Sequence, residues 1–467
     1  MSARRALVLV DGEHYPPVVR AALDELRADR GCEVVGAVVL GGGEKLRPDV
    51  RADYGVRDVV TGASPLAALL EALDCFPVDE VIDLSDAPVV DARSRTLLAA
   101  HALLRGIPYR GADFVFTPPP RPRLAHKPSI AVIGTGKRTG KTAVAAAIAR
   151  TLAADGRAPV IVAMGRGGPP DPEVIDPAAT DLSPAALVAR AESGRHAASD
   201  HLEDALTAGV ATVGTRRCGG GLAGTPGSTT FAAGLALADR RAERLLVLEG
   251  SGSAIPPVHA DATVCVVPGA ADPEIVTGYL GPYALLLSDL VVVTLMDVPS
   301  SPGSRRAADR SHAAPSLEDR IRGIAPHTSV LRTVLRPWPL ASIEGRSIFF
   351  ATTAPEPVAA RAAAHLESRH HATVVGRTSH LAERTRLADD LARMPEGAEV
   401  LVTELKAAAV DVATKAALER GMEVIYCDNR PEPIETGDEP DPFTTSVRAV
   451  ADLASDRFAT SQATTSP

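Results

Sequence analysis

Cysteine is scarce in this sequence: five in 467 residues, at positions 32, 75, 218, 265 and 427. No two form a C-x-x-C pair, which argues against a zinc site or a disulfide framework and for a reducing, cytoplasmic setting. Long apolar runs are also missing. No stretch approaches the roughly 20 residues that a membrane helix needs. The opening "MSARRALVLVDGEHYP" has only a short apolar run ending in Asp11, so a first buried strand is expected there and not a leader peptide. An excess of positive charge is absent as well. The net charge of −9 gives no footprint for nucleic acid, and any highly anionic ligand must be met by cations gathered locally.

What is present is alternation. Short β-rich runs are separated by Ala/Leu-rich stretches, the pattern of parallel α/β architecture, and the length calls for more than one domain. In residues 1–122 the expected strands are 6–10, 33–40, 80–85 and 107–114, closed by a Pro-rich, basic linker at 116–128. A second domain, 123–345, carries continuous apolar runs, each ending in small or charged residues, at 129–133, 159–169, 244–258, 262–269 and 289–297. Buried parallel strands read this way, and ligands in such sheets sit beyond the strands' carboxyl ends. The tips "GTGKRTGKT", "GRGGP", "EGSGS" and "MD" are therefore expected to converge on one crevice. Residues 299–316 read as an exposed loop. A smaller α/β domain, 346–455, has strands at 347–354, 372–379, 399–405 and 423–429, and 456–467 reads as a disordered tail.

The stretch 134–142, "GTGKRTGKT", follows a buried strand and opens a helix. Glycines let backbone N–H groups turn toward an anion, and the helix start adds its positive dipole end. Gly134, Thr135, Gly136, Thr139 and Gly140 form the cradle, Lys141 reaches the terminal phosphates, and Thr142 holds Mg²⁺. Five residues separate Gly134 from Gly140, one more than in the common phosphate loop. The spacing resembles the loop of dethiobiotin synthetase and its relatives. Lys137 and Arg138 add charge suited to an acceptor or to the transferring phosphoryl group. Glu249, at the end of "LLVLE", is placed to enter the Mg²⁺ shell.

Other cations lie beside glycine, where backbone can approach a ligand closely and a guanidinium can bind phosphate bidentately. They are Arg166 in "MGRGGP" and Arg216 and Arg217 in "TRRCGGGLAG", read as loops. Asp11, Glu13 and His14 follow the first strand at what would be a ligand-facing sheet edge. Lys406, in the first turn after "VTEL", opposes a helix dipole and so answers to an anion.

Together, "VDGEHYPPVV", "DLSDAPVV", "GTGKRTGKTAV", "GRGGP", "RRCGGGLAG", "LEGSGSAIPPV", "TELKAAAVDVA" and "YCDNRP" resemble the cyclic 2,3-diphosphoglycerate synthetase family, from residue 9 to about 431. The resemblance implies a central P-loop sheet flanked by N- and C-terminal α/β domains. It implies ATP-dependent closure of 2,3-diphosphoglycerate to an internal phosphoanhydride with Mg²⁺ and often K⁺, in a cytoplasmic homodimer. It carries Lys141 and Thr142 over as nucleotide and Mg²⁺ contacts, and the arginine stretches and "DGEH" as substrate contacts. Two other classes share the phosphate loop: a carboxylate-activating ligase of the dethiobiotin or cobyrinate type, and a nucleotide-switched regulator. The first, in its glutamine-using form, needs a Cys–His pair, and the second a Cys/His cluster. Neither feature is visible in the sequence.

Overall fold

The computed structural model describes residues 3–42, 50–297, 315–434 and 441–465. The loop expected at 299–316 lies outside the described residues except for its last two. The chain divides into two compact units. One comprises Met1–Pro120, Asp272–Leu287 and Ala314–His327; the other comprises Arg121–Ala271, Ser288–Ala313 and Thr328–Pro467.

The first unit holds β1 (Arg4–Val10), β2 (Cys32–Val39), β3 (Val59–Thr61), β4 (Glu80–Asp83), β5 (Tyr109–Arg110) and β6 (Val115–Phe116), in the order β3-β2-β1-β4-β5-β6. Pairing is parallel except between β5 and β6. Residues 107–114, expected as one strand, are instead the start of this small hairpin. At its turn Phe114 stacks on Tyr109 and meets Phe116 at a tilt. The helices are started by local chemistry. Ser64 and Asp91 accept from the backbone N–H groups of Ala67 and Ser94, satisfying donors that a helix start leaves open.

The second unit is built on one sheet. It begins with β7 (Ser129–Gly134), β8 (Pro159–Gly165), β9 (Glu173–Ile175), β10 (Thr212–Cys218), β11 (Ser228–Thr229) and β12 (Leu245–Glu249). It continues with β13 (Ala262–Pro268), β14 (Leu290–Thr294), β15 (Ser329–Pro339), β16 (Ser347–Ala351), β17 (Thr373–Thr378), β18 (Val400–Thr403) and β19 (Glu423–Pro433). The order is β11-β10-β8-β12-β7-β13-β14-β15-β19-β18-β16-β17, with β9 against β10. The central strands β7, β8 and β12 to β14 are apolar on both faces and almost entirely buried. Alanine-rich helix Lys141–Ala154 packs closely on one face because its small side chains allow it.

The segments 123–345 and 346–455 share this sheet. Strand β15 pairs in parallel with β14 through Ser329–Arg332, then antiparallel with β19 through Thr333–Pro339. The tail expected to be disordered is the end of helix Pro442–Thr465. Phe443, Val447, Val450, Ala451 and Ala454 bury its first half against the core beneath β7. Arg457 then clasps its second half, with Nη1 donating to the Asp261 carbonyl and Nη2 2.9 Å from Asp289 Oδ1. No helix among the described residues is long and apolar enough to cross a membrane.

Candidate active site

The phosphate loop is held open by positions where only certain backbones fit. A Cβ on Gly134 would lie 2.9 Å from Thr139 Oγ1, and one on Gly140 would lie 2.8 Å from Leu335 Cδ1. Gly140 has φ 84°, and Arg138, though not glycine, has φ 61°. A left-handed arginine is the kind of strain that collects at ligand clamps. Thr294, at the tip of β14, donates from Oγ1 to the Thr139 carbonyl at 2.6 Å and fixes the loop's far end. Buried Thr139 Oγ1 has no partner among the described residues, a polar atom left over inside the cradle.

The loop opens onto a cavity of about 520 Å³ whose lining comes entirely from the second unit. Volumes of this size suit small-molecule ligands. At the mouth of β7, Thr142 Oγ1 donates to Glu249 Oε1 at 2.9 Å, and Lys141 Nζ stands 3.3 Å from the same oxygen. Glu249 is fully buried, and its Oε2 has no partner among the described residues. A hydroxyl and a carboxylate are hard oxygen donors, so the pair fits Mg²⁺. Among the described residues no three acidic, histidine or cysteine groups surround a common metal position. Phosphate oxygens and water would therefore complete the shell.

Around Glu249 lies an acidic group that sequence reading missed. Helix Asp200–Ala208 brings Asp200, Glu203 and Asp204 to the loop. Burial, and then the charge of Glu249, raise both Asp200 and Asp204, the latter strongly. Neither Asp204 oxygen has a donor among the described residues, and a proton on Asp204 would let it donate to Glu249. Burial likewise pushes Glu203 up to about 8, although Lys406 lies 2.9 Å away and pulls it down. In sequence these acids read as the wet face of an amphipathic helix. Only the fold turns them inward.

Beyond β8 and β12 the site turns positive. A Cβ on Gly252 would lie 2.5 Å from Arg166 Nη2 and 3.2 Å from Arg217 Nη2, so two guanidinium groups meet over this glycine. Burial, and then the neighbouring Arg166, lower Arg217. Arg217 is anchored by donating to the Gly219 and Ser251 carbonyls at 2.7 Å. Arg166 is exposed and has no ion pair among the described residues. Lys137 and Arg138 are exposed on the loop and line the same cavity. The 216–218 stretch, expected as loop, is the end of β10, which forms a hairpin with β11. Arg216 is committed there through its backbone, receiving bonds from Thr229 and donating to Thr230, and does not line the cavity.

The opposite wall comes from the ends of β16, β18 and β19. Buried Glu404 accepts from Thr352 Oγ1 (2.9 Å), Thr353 N (3.2 Å), Thr353 Oγ1 (2.8 Å) and Asn429 Nδ2 (2.9 Å). Burial opposes its charge, but Lys406 and then these bonds outweigh it and lower Glu404, and the bonds hold the turn ahead of helix Glu356–His370. Burial disfavours the charge on Lys406, but Glu203 and Glu404 outweigh that and raise it. Arg336 and Arg361 enter the same wall. Arg361 gave no signal in the sequence, standing in an ordinary alanine-rich helix.

The expected site residues Asp11, Glu13 and His14 lie in the other unit, at the end of β1. Asp11 is buried, and its oxygens are consumed by its own turn. Oδ1 receives the N–H groups of Glu13 and His14 and faces His14 Nδ1 at 2.7 Å; Oδ2 receives Asp86 N at 2.8 Å. These bonds join the turn after β1 to the one after β4.

The acids near the loop make a stability prediction. A carboxyl whose pKa is higher folded than unfolded favours the fold most below its unfolded value, and loses that advantage as pH rises toward the folded value. The ligand-free Asp204→Asn variant should therefore match the parent in Tm near pH 4 and exceed it progressively toward pH 8. Calorimetry across that range measures the gap. A gap that stays constant with pH would show that Asp204 is not held protonated.

The comparisons follow the same layout. Residues 5–117, 129–334 and 339–430 match the N-terminal, P-loop and C-terminal domains described for cyclic 2,3-diphosphoglycerate synthetase. A protein of that name from Rubrobacter xylanophilus is 45% identical over 427 residues, covering 91% of this chain and 94% of the relative. Another from Methanothermobacter thermautotrophicus is 43% identical over 466 residues, covering 97% and 98%. A third from Thermococcus gammatolerans is 46% identical over 432 residues, covering 92% and 94%. With a phosphate loop, a cation-lined cavity and likeness along nearly its whole length, the chain belongs to the cyclic 2,3-diphosphoglycerate synthetase family.

Proposed function

We propose that this chain converts 2,3-diphosphoglycerate to its cyclic phosphoanhydride, with ATP giving ADP and phosphate. The observation that carries this reading is the meeting of Arg166 and Arg217 over Gly252, immediately past Glu249 at the end of β12. Two guanidinium groups held this close favour an anion between them. The anion comes from the acceptor, since the nucleotide's own phosphates are answered by Lys141 and the loop.

The residues fit a phosphoryl transfer in which the protein positions and neutralises, with little covalent work of its own. One acceptor phosphate takes the terminal phosphoryl group of ATP, and ADP leaves. The other acceptor phosphate then attacks the phosphorus so activated, closes the P–O–P ring and expels phosphate. Thr142 and Glu249 would hold Mg²⁺, which would supply charge neutralisation at the phosphates. Like charges about 4 Å apart repel by roughly 4 kcal/mol at an effective dielectric near 20. Arg166, Arg217, Lys137, Arg138 and Lys406 offset that repulsion. Holding both acceptor phosphates folded toward each other makes ring closure intramolecular.

Incubation with ATP, Mg²⁺, K⁺ and 2,3-diphosphoglycerate, followed by phosphorus NMR, tests the reaction directly. Coupled anhydride resonances with one ADP per ring are expected, and ADP without them would refute it. The path has its own test. With ¹⁸O in the acceptor's phosphates, the released phosphate carries one labelled oxygen from the acceptor. Oxygen from water in its place would mean simple hydrolysis.

A further inference from the structure

The two steps of the proposed reaction make unequal demands for protons. In the first, an acceptor phosphate oxygen bonds to the γ-phosphorus, the bond to the β-phosphate oxygen breaks, and ADP keeps the electron pair. ADP is a weak base and leaves unaided. In the second, an oxygen of the other acceptor phosphate bonds to the activated phosphorus. The bond that breaks leaves its electron pair on the bridging oxygen, so with every group ionised the departing species is PO₄³⁻. That trianion is a strong base and a poor leaving group. A proton delivered to the bridging oxygen lets it depart as HPO₄²⁻.

Few side chains lining the cavity can deliver that proton. Lysine and arginine hold theirs too tightly near neutral pH. Glu404 already accepts four hydrogen bonds, and Asp297 Oδ2 accepts from Arg336 Nη1 at 2.7 Å. Asp200 and His196 remain, the latter being the one histidine of the lining among the described residues. Both stand over the turn after β8. A Cβ on Gly165 would lie 3.5 Å from Asp200 Oδ2, and one on Gly167 would lie 3.2 Å from His196 Nε2. Arg166, one of the two arginines that meet over Gly252, sits between those glycines.

Asp200 belongs to the nucleotide end, in the fields of Glu249, Lys141 and Lys406. His196 is the freer group. Its backbone carbonyl accepts from Arg190 Nε at 3.2 Å, while its ring has no hydrogen-bond partner among the described residues. Burial lowers the imidazole most; Asp200 and Asp411 raise it, and His201 and Arg190 lower it further. A phosphate bound beside the ring adds negative charge and favours the imidazolium. The ring thus stands between the acceptor's arginine and the acids at the phosphate loop, where the bridging oxygen would form.

Resting on the reaction proposed above, we infer that His196 is the general acid of ring closure, protonating the bridging oxygen as phosphate leaves.

Rapid quench of single turnovers separates the two steps, since ADP reports the first and free phosphate the second. In His196→Gln, ADP should form at close to the parent rate. Phosphate and ring should appear about 10²–10⁴-fold more slowly, the range for one proton donor, and the phosphorylated acceptor should accumulate. The deficit should shrink from pH 8 toward about pH 6, where the terminal phosphate of that intermediate takes a proton from solvent. Parallel loss of ADP and phosphate formation would overturn the role, as would a deficit that is the same at both pH values. If the unaltered protein forms ADP with neither ring nor phosphorylated acceptor, the reaction itself falls, and the role with it. Should His196→Gln fail to fold, His196→Asn carries the same expectations.

Discussion

Lys141→Met lowers kcat for ring closure by about 10²–10³-fold, or roughly 3–4 kcal/mol of transition-state stabilisation, as expected when one preorganised charge is removed from a shielded site. Methionine keeps the length and much of the apolar stem, so helix Lys141–Ala154 still packs. What is lost is the ammonium 3.3 Å from Glu249 Oε1. That loss acts twice. The transferring phosphates lose their buried cation, and Glu249 with its acidic neighbours Asp200 and Asp204 loses a compensating charge. Turnover followed by phosphorus NMR, beside the thermal midpoint, separates the two effects. A fall of less than tenfold in kcat would remove Lys141 from the chemistry. An unchanged midpoint at pH 8 would show that the acids do not depend on it.

Arg166→Ala is expected to reduce kcat/KM for the acceptor by about 10²-fold, with little change in stability or in ATP affinity. Hydrogen bonds between ionised partners contribute roughly 1.5–3 kcal/mol. Arg166 makes no ion pair of its own among the described residues, so its removal leaves no stranded carboxylate. Arg217 differs, because it also holds the Gly219 and Ser251 carbonyls. Arg217→Ala should lower the thermal midpoint as well as activity. The double variant should lose less than the sum of the two, since both groups share one anion. Lysine at 166 should recover only part of the loss, having no planar fork. Strict additivity in the cycle would place the two arginines on different ligands.

Much of the second unit was legible because buried parallel strands announce themselves. The runs "SIAVI", "PVIVAM", "LLVLE" and "VVVT" are apolar on both faces and end in the small or charged residues that a ligand meets. The loop itself was legible because glycine, lysine and threonine at fixed spacing have one physical use after such a strand. What escaped reading depended on tertiary context. Asp200 and Asp204 look solvated in one dimension, and Arg361 looks like any helix-surface arginine.

Strand β15 escaped for a different reason. Pro337 and Pro339 argue against an interior strand, since neither can donate to a ladder. They are tolerated because pairing with β14 stops at Arg332. Past that point β15 pairs on one side only among the described residues, and the two prolines, two residues apart, both turn their missing N–H away from β19. The helical end of the chain was hidden similarly. Polar residues 455–465 have no helix-forming pattern of their own and are carried along by the apolar turn before them and by Arg457.

That single strand also determines how the molecule can be taken apart. The phosphate loop and the Glu404–Lys406 wall are not two blocks on a tether, because the backbone between them is itself a rung of the ladder that joins them. Severing the chain near residue 340 and discarding its C-terminal portion would strip β15 of seven ladder positions and bare a sheet edge, an invitation to aggregation. Grafting this wall onto another nucleotide-binding sheet would require matching register as well as shape. Such a fold diversifies by altering side chains in place, and only with difficulty by exchanging whole pieces.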